Sequence, residues 1–202
     1  VYISKIITNT NNIILIGGTM NLKKIKIISI IGILILSFIS HFMYDLFPNI
    51  IFSFIFPVNE SIWEHMKILF TSILLYGFID KYLLNKYNIK HNNFPFQLYF
   101  TAISSIPLYL AIYIPIYKLL GEKLIISLLL LLVVYIIEAY ISYNLLKEKE
   151  LKVLNLLAVP IILSTYIFFI YLTYNPPHNY IFYDTVENKY SINDYTNKIS
   201  TS

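Results

Sequence analysis

Five stretches of the chain stay apolar for about twenty residues each, and no other sequence feature limits the possible folds so severely. The hydrocarbon core of a bilayer, roughly 30 Å thick, takes about 20 residues of helix to cross. The stretches run near 25–47, 61–84, 97–119, 124–146 and 152–173. Alternation of apolar and polar residues is absent, and an unpaired strand backbone is too costly in lipid, so strands are excluded. The expected fold is all-α: a polytopic membrane helix bundle of about five transmembrane helices. Pro107 and Pro115 in the third stretch and Pro160 in the fifth predict kinks.

Composition agrees. Of the 202 residues, 57% are hydrophobic and 13% charged, more apolar surface than a soluble domain of this length can hide. The lipid bilayer is thus the main partner. The absence of cysteine excludes disulfides and thiolate metal sites. The net charge of +4 is scattered over loops and helix ends, without the basic and aromatic face that tracks a phosphate backbone, which disfavours nucleic acid as a partner. All fifteen basic residues are lysine, and Ile, Asn and Tyr abound. That bias suggests an AT-rich, bacterial coding sequence, and hence the bacterial cytoplasmic membrane as the location.

Three regions are expected. Residues 1–19 mix polar residues with an apolar run, Ile13–Ile16, too short to span. Gly17 and Gly18 fit a ribosome-binding sequence ahead of Met20, so this region reads either as a leader that is not translated in the native protein or as an ordinary disordered leader. Residues 20–174 hold the helices and 175–202 form a polar tail. Lysines in short loops set orientation. Nine of them (Lys23, Lys24, Lys26, Lys81, Lys86, Lys90, Lys147, Lys149 and Lys152) gather on one side, against Lys118, Lys123, Lys189 and Lys198 on the other. The N-terminus is therefore expected inside and the C-terminal tail outside. The apolar segment 49–56 spans only about 12 Å as a helix, too little to cross, and reads as an interfacial or re-entrant piece ending at Pro57.

This topology collects scattered polar residues on the outer face. His41 and Asp45 end the first span, Glu60, Glu64 and His65 begin the second, and His178 and Asp184 follow the fifth. Ionisable groups at membrane depth are functional candidates by default. Glu64 and His65 diverge by about 100° around a helix, so one ion would take His65 or the glutamates, together with His41 and His178. Imidazole and carboxylate suit a divalent metal such as Zn²⁺. The candidate metal ligands are thus His41, His65 and His178, with Glu60 or Glu64 as general base.

Structural readings stand beside these. Ser61-Ile62-Trp63-Glu64 spells a capping box, with Ser61 and Glu64 each satisfying the other's backbone N–H. Trp63 reads as part of the aromatic belt, and Glu60 complements a helix N-terminus. His91 reads as merely solvated. Glu138, deep in the fourth span, is expected to hydrogen-bond Tyr, Ser or Asn144 on a neighbouring helix in preference to relaying protons. Gly-rich phosphate loops, His-Glu-x-x-His pairs and nucleophile elbows are absent, which disfavours nucleotide chemistry.

The run Pro57-Val58-Asn59-Glu60-Ser61-Ile62-Trp63-Glu64-His65 resembles an uncharacterised family of small bacterial polytopic membrane proteins carrying a Pro-Val-Asn-Glu-Ser-x-Trp-Glu-His signature. The resemblance includes His41, Phe42 and Tyr44 upstream and Pro176, Pro177, His178, Phe182, Asp184, Tyr190 and Ile192 in the tail. It covers Met20 to about Ile192 and departs at Thr185 and Ser191, where the family has Pro and Gly. It implies an architecture and a candidate site, with no assigned reaction. A fainter similarity links Asn59-Glu60-Ser61 and Ile62-Trp63-Glu64-His65 to the seven-span metal-dependent hydrolases related to adiponectin receptors and alkaline ceramidases. Their His-x-x-x-His pair and two of their spans are missing here. Two functions are expected to compete: a membrane-embedded metal-dependent hydrolase of a lipid or amphiphile, and a non-enzymatic interaction or transport-associated subunit with a structural polar cluster.

Overall fold

The computed structural model describes residues 20–121 and 123–192; the leader expected at 1–19 and the stretch 193–202 lie outside the described residues. The described residues are all-α, with seven helices and no strand. They are α1 (Leu22–Leu46), α2 (Ile50–Ile55), α3 (Ile62–Lys86), α4 (Phe94–Leu120), α5 (Leu124–Leu145), α6 (Lys152–Leu156) and α7 (Ala158–Tyr174). Four of them, α1, α3, α4 and α5, are long and apolar enough to cross a membrane.

The fifth expected span is divided. After Leu156 the helix breaks at Leu157, and α7 is left with 17 residues. Pro160 accounts for this: it carries no N–H for the carbonyl of Leu156, and its ring crowds that carbonyl. The i→i−4 bonds of Leu157 and Ile161 on either side survive, so the path bends without stopping. By contrast, α4 runs from Phe94 to Leu120 through both Pro107 and Pro115.

Successive long helices run antiparallel, and the packing closes a ring: α1 lies against α3 and α5, and α4 against the same two. Outside the ring, α7 leans on α2 and α4. Small polar residues make the seams. On α1, Ser29, Ser37 and Ser40 are buried while Ile31, Ile35, Phe38 and Phe42 are exposed. Small side chains let helices approach closely. Gly32 is one such approach, since a Cβ there would collide with the Tyr76 ring of α3. The exposed apolar stripes continue on α5 with Ile125, Leu129 and Ile136, and on α7 with Val159, Leu163 and Ile167. Contiguous apolar surface of this kind needs an apolar cover.

Two buried ion pairs fix α3 at its ends. Near its C-terminal end, Lys26 Nζ lies 2.5 Å from Asp80 Oδ2, and Ser29 Oγ donates to Asp80 Oδ1 at 2.6 Å. Lys26 is therefore not the free loop charge that the lysine distribution suggests. Near its N-terminal end, Lys67 Nζ lies 2.7 Å from Glu64 Oε2 and donates to the Ser53 carbonyl at 2.8 Å. That second bond, with one from Thr71 Oγ1 to the Ile55 carbonyl, straps the short α2 to α3. The apolar 49–56 segment is thus a helix of six residues, capped by Asn49, which accepts from Ile51 and Phe52 N–H.

At the opposite end from the tail, Asn93 ties the start of α4 to the α5–α6 turn. Its amide donates to the Lys149 carbonyl at 2.9 Å and its Oδ1 accepts from Leu151 N–H at 2.7 Å. His91, read from sequence as merely solvated, donates through Nδ1 to the Ile89 carbonyl and accepts from Lys81 Nζ at 2.9 Å through Nε2. Glu138 is buried with Ser104 Oγ 2.9 and 3.0 Å from its two oxygens. That is the neighbouring-helix hydrogen bond expected of it.

Candidate functional site

The ring of four helices lines a partly open cavity of about 450 Å³ in the half nearest the tail. Its walls are mostly apolar, drawn from α1 (Leu34, Phe38), α3 (Ile68, Leu69) and α5 (Leu128, Leu131). The α4 wall is a ladder of tyrosines four residues apart, Tyr109, Tyr113 and Tyr117, with ring centroids 5.1 and 5.7 Å apart. Spacing of four keeps all three on one helix face. Tyr180, Tyr183 and Thr185 of the tail also line the cavity.

Polarity concentrates at His41, Glu60 and His65, which line the cavity together. The two imidazole centroids are 5.2 Å apart. Glu60 faces both rings: Oε1 lies 3.8 Å from His41 Nε2 and Oε2 lies 3.4 Å from His65 Nε2. One ligand atom from each of the three residues falls within 4.8 Å of the others. A tetrahedral Zn²⁺ bound at about 2.0–2.1 Å would set its ligands roughly 3.3 Å apart, close to the two Glu60–histidine distances and up to about 1.5 Å inside the 4.8 Å limit.

Local structure explains why the three meet. His41 lies one turn from the end of α1, and Glu60 and His65 flank the start of α3, adjacent to α1 in the ring. His65 Nδ1 lies 2.8 Å from the Ser61 carbonyl. A carbonyl only accepts, so Nδ1 carries the proton, and in neutral imidazole Nε2 then offers a lone pair. That lone pair faces a carboxylate, so a cation must stand between: a proton making His65 an imidazolium, or a metal. Metal-bound imidazoles characteristically hand their second N–H to a backbone carbonyl or carboxylate, which fixes ring and tautomer. His41 Nδ1 is buried and finds no partner among the described residues. Glu60 lies outside the long helices. Its hydrogen bond to His65 holds its carboxyl below the ordinary value, the charges of both histidines act the same way, and partial burial opposes them.

Glu64 and His178 stand elsewhere. Glu64 is buried on the other face of α3, with Oε2 accepting from Val58 N–H at 3.1 Å and from Lys67, and Oε1 from Thr173 Oγ1 at 2.8 Å. Only half of the expected capping box forms, the bond from Glu64 N–H to Ser61 Oγ. The reciprocal arm goes to Val58 because Asn59 Oδ1 already takes Ser61 N–H. His178 is exposed and stacks on Tyr190 with centroids 4.5 Å apart. It does not line the cavity.

The tail does fold back over the cavity, but by other residues than His178. Trp63 N–H donates to the Ile181 carbonyl at 2.9 Å, and the Trp63 ring packs on Phe182 with centroids 5.1 Å apart. Asp184, fully buried, accepts from Glu60 N–H at 3.2 Å and from Val186 and Glu187 N–H at 2.8 and 3.1 Å. Sequence reasoning placed Asp184 at this face without its role. It missed Lys67 and Thr173 as partners of Glu64, and the tyrosine ladder, whose four-residue spacing was there to be read.

A family model described as a family of unknown function, DUF6512, matches residues 16–192, and the chain belongs to that family. No curated protein and no solved structure matches it.

Proposed function

We propose that this member of the family is a membrane-embedded, metal-dependent hydrolase acting on a lipid or amphiphile, with His41, Glu60 and His65 holding the metal. The observation that carries the reading is the arrangement of His65. Its Nδ1 is committed to the Ser61 carbonyl while Nε2 and the Glu60 carboxylate point at one another, with His41 beside them. Three protein ligands with a fourth position open to a cavity is the pattern of catalytic zinc sites. A divalent ion there would lower the pKa of a bound water toward 7 and supply hydroxide. Glu60 sits among the ligands, so the general-base role expected of Glu60 or Glu64 is not required of either residue. Four long apolar helices and exposed apolar stripes support the membrane location.

The test is elemental analysis of protein purified without chelators, followed by hydrolysis assays of the metal-loaded form. A stoichiometric divalent metal that is lost in His65→Ala supports the reading. Protein that neither retains nor takes up such an ion would sink it. That outcome would favour the rival, a non-enzymatic subunit whose cluster pins the tail. A specific observation supports the rival: the backbone of Glu60 itself binds Asp184 of the tail.

A further inference from the structure

We infer that the cavity under the tail binds an amphiphile with a single aliphatic chain, which lies along the tyrosine ladder with its head group at His41, Glu60 and His65. The inference deepens the hydrolase reading and rests on it for the chemistry at the head group, but not for the chain.

Size comes first. At about 30 Å³ for each water-sized atom, a cavity of about 450 Å³ takes at least roughly fifteen non-hydrogen atoms. That is one chain with a small head. A two-chain membrane lipid has several times as many atoms.

Length agrees with this. The lining residues run from Leu34 to Phe42 on α1 and from Tyr109 to Tyr117 on α4, a rise of about 12 Å on each helix. An extended alkyl chain advances about 1.25 Å per carbon, so roughly ten carbons fill the depth.

Polarity gives direction. At the deep end, the Ser37 hydroxyl is already taken by the Ile33 carbonyl at 2.8 Å and Tyr135 OH at 2.6 Å. A charged head placed there, among Leu34, Leu69 and Leu131, would lose its water with no charged partner to replace it. The opposite end offers the carboxylate of Glu60 between the imidazoles of His41 and His65, which line the cavity together. Above it lies the tail, held by the Trp63–Ile181 and Glu60–Asp184 bonds. The head therefore sits at the His/Glu/His wall beneath the tail, and the chain points toward Leu34 and Leu131.

The test is photolabelling in lipid nanodiscs, which avoid detergent, itself a single-chain amphiphile. The probe is dodecanoic acid with a diazirine at its chain end, and the labelled residues are mapped by mass spectrometry. Labels are expected on the deep residues Leu34, Tyr109 and Leu131, and should fall at least about tenfold in Leu128→Trp, which plugs the tube. Labelling of lipid-facing Phe168 should stay unchanged in that variant. If Leu128→Trp fails to fold, the smaller Leu131→Phe serves the same purpose. Labels confined to lipid-facing residues such as Leu163 and Phe168, or deep labels that ignore the plug, would overturn the inference. So would equal deep labelling by a two-chain phosphatidylcholine carrying the same group. The arms separate the two readings: deep labelling in protein that binds no metal removes the hydrolase and keeps the chain site. A bound metal without deep labelling does the reverse.

Discussion

His41 of α1 and His65 of α3 place their imidazole centroids 5.2 Å apart, with the carboxylate of Glu60 facing both. Neither helix alone could create this site. It exists because α1 and α3 are neighbours in the ring and the connection between them returns the chain to the same end.

Metal affinity follows from that geometry. His41→Ala, Glu60→Gln and His65→Ala should each weaken binding of Zn²⁺ by more than the roughly 10–100-fold typical of lost outer partners, measured by competition with a chelator. Glu64→Gln should leave affinity unchanged, since Glu64 lies on the other face of α3. Equal losses at Glu64 and Glu60 would contradict the assignment.

Metal binding should also weaken as the pH falls. Ligating imidazoles must be neutral and ligating carboxylates ionised, so protons compete with the ion. Glu60 is held below its ordinary value of 4.5 by His65, so the carboxylate remains ionised until well into acid. Protons competing for the ligating imidazoles and carboxylate then displace the metal on acidification. Titrating bound metal against pH should show affinity falling as the pH falls in wild type and in Glu60→Asp, and affinity that rises on acidification would refute it.

The buried Lys67–Glu64 pair makes a stability prediction independent of function. Replacing only Lys67 by Met strands a carboxylate inside the protein and should cost about 3–5 kcal/mol. The double variant Lys67→Met, Glu64→Gln should recover much of that, because an amide at position 64 keeps Val58 N–H and Thr173 within reach as uncharged partners. Thermal unfolding in nanodiscs reads both. A single variant as stable as wild type would mean that the strap contributes little.

Loss of Asp184 should free the tail. Its carboxylate accepts three backbone N–H groups, and charged hydrogen bonds of this kind contribute about 1.5–3 kcal/mol each. Asp184→Ala should therefore expose the 180–190 segment to limited proteolysis with α1–α7 intact, while His178→Ala should not. Resistance of the Asp184 variant would show that the Trp63–Phe182 contact suffices alone.

Orientation is open to a clean labelling test, because the chain has no cysteine. Single cysteines at Asn179 or Glu187 should react with an impermeant reagent in intact cells, and one at Lys90 should not. The opposite pattern would invert the expected topology.

Much of this is legible in the amino-acid sequence. Long apolar runs force helices wherever the backbone must satisfy itself, and the ends of α1, α3, α4 and α5 fall close to the limits of those runs. The division of the fifth run at Leu157 was announced by Pro160. The loop at 49–56 could be seen to be too short to cross, but not that Lys67 would reach under it to the Ser53 carbonyl. Partners of that kind lie on other helices, and no periodicity within one segment reports them.

The sequence by itself determined the helical class, the gathering of His41, Glu60 and His65 at one end, and the divergence of Glu64 from His65, because helix geometry is local and repeats every 3.6 residues. Only the tertiary structure decided which of the collected groups share a site. It turned Glu64 toward Lys67 and Thr173, stacked His178 on Tyr190, and roofed the cavity with Tyr180 and Tyr183. The reason is physical: buried polar groups need partners, and the packing of α1, α3 and α7 with the tail decides which partners come within reach, leaving His41 Nδ1 and Trp63 Nε1 as buried side-chain atoms without one among the described residues.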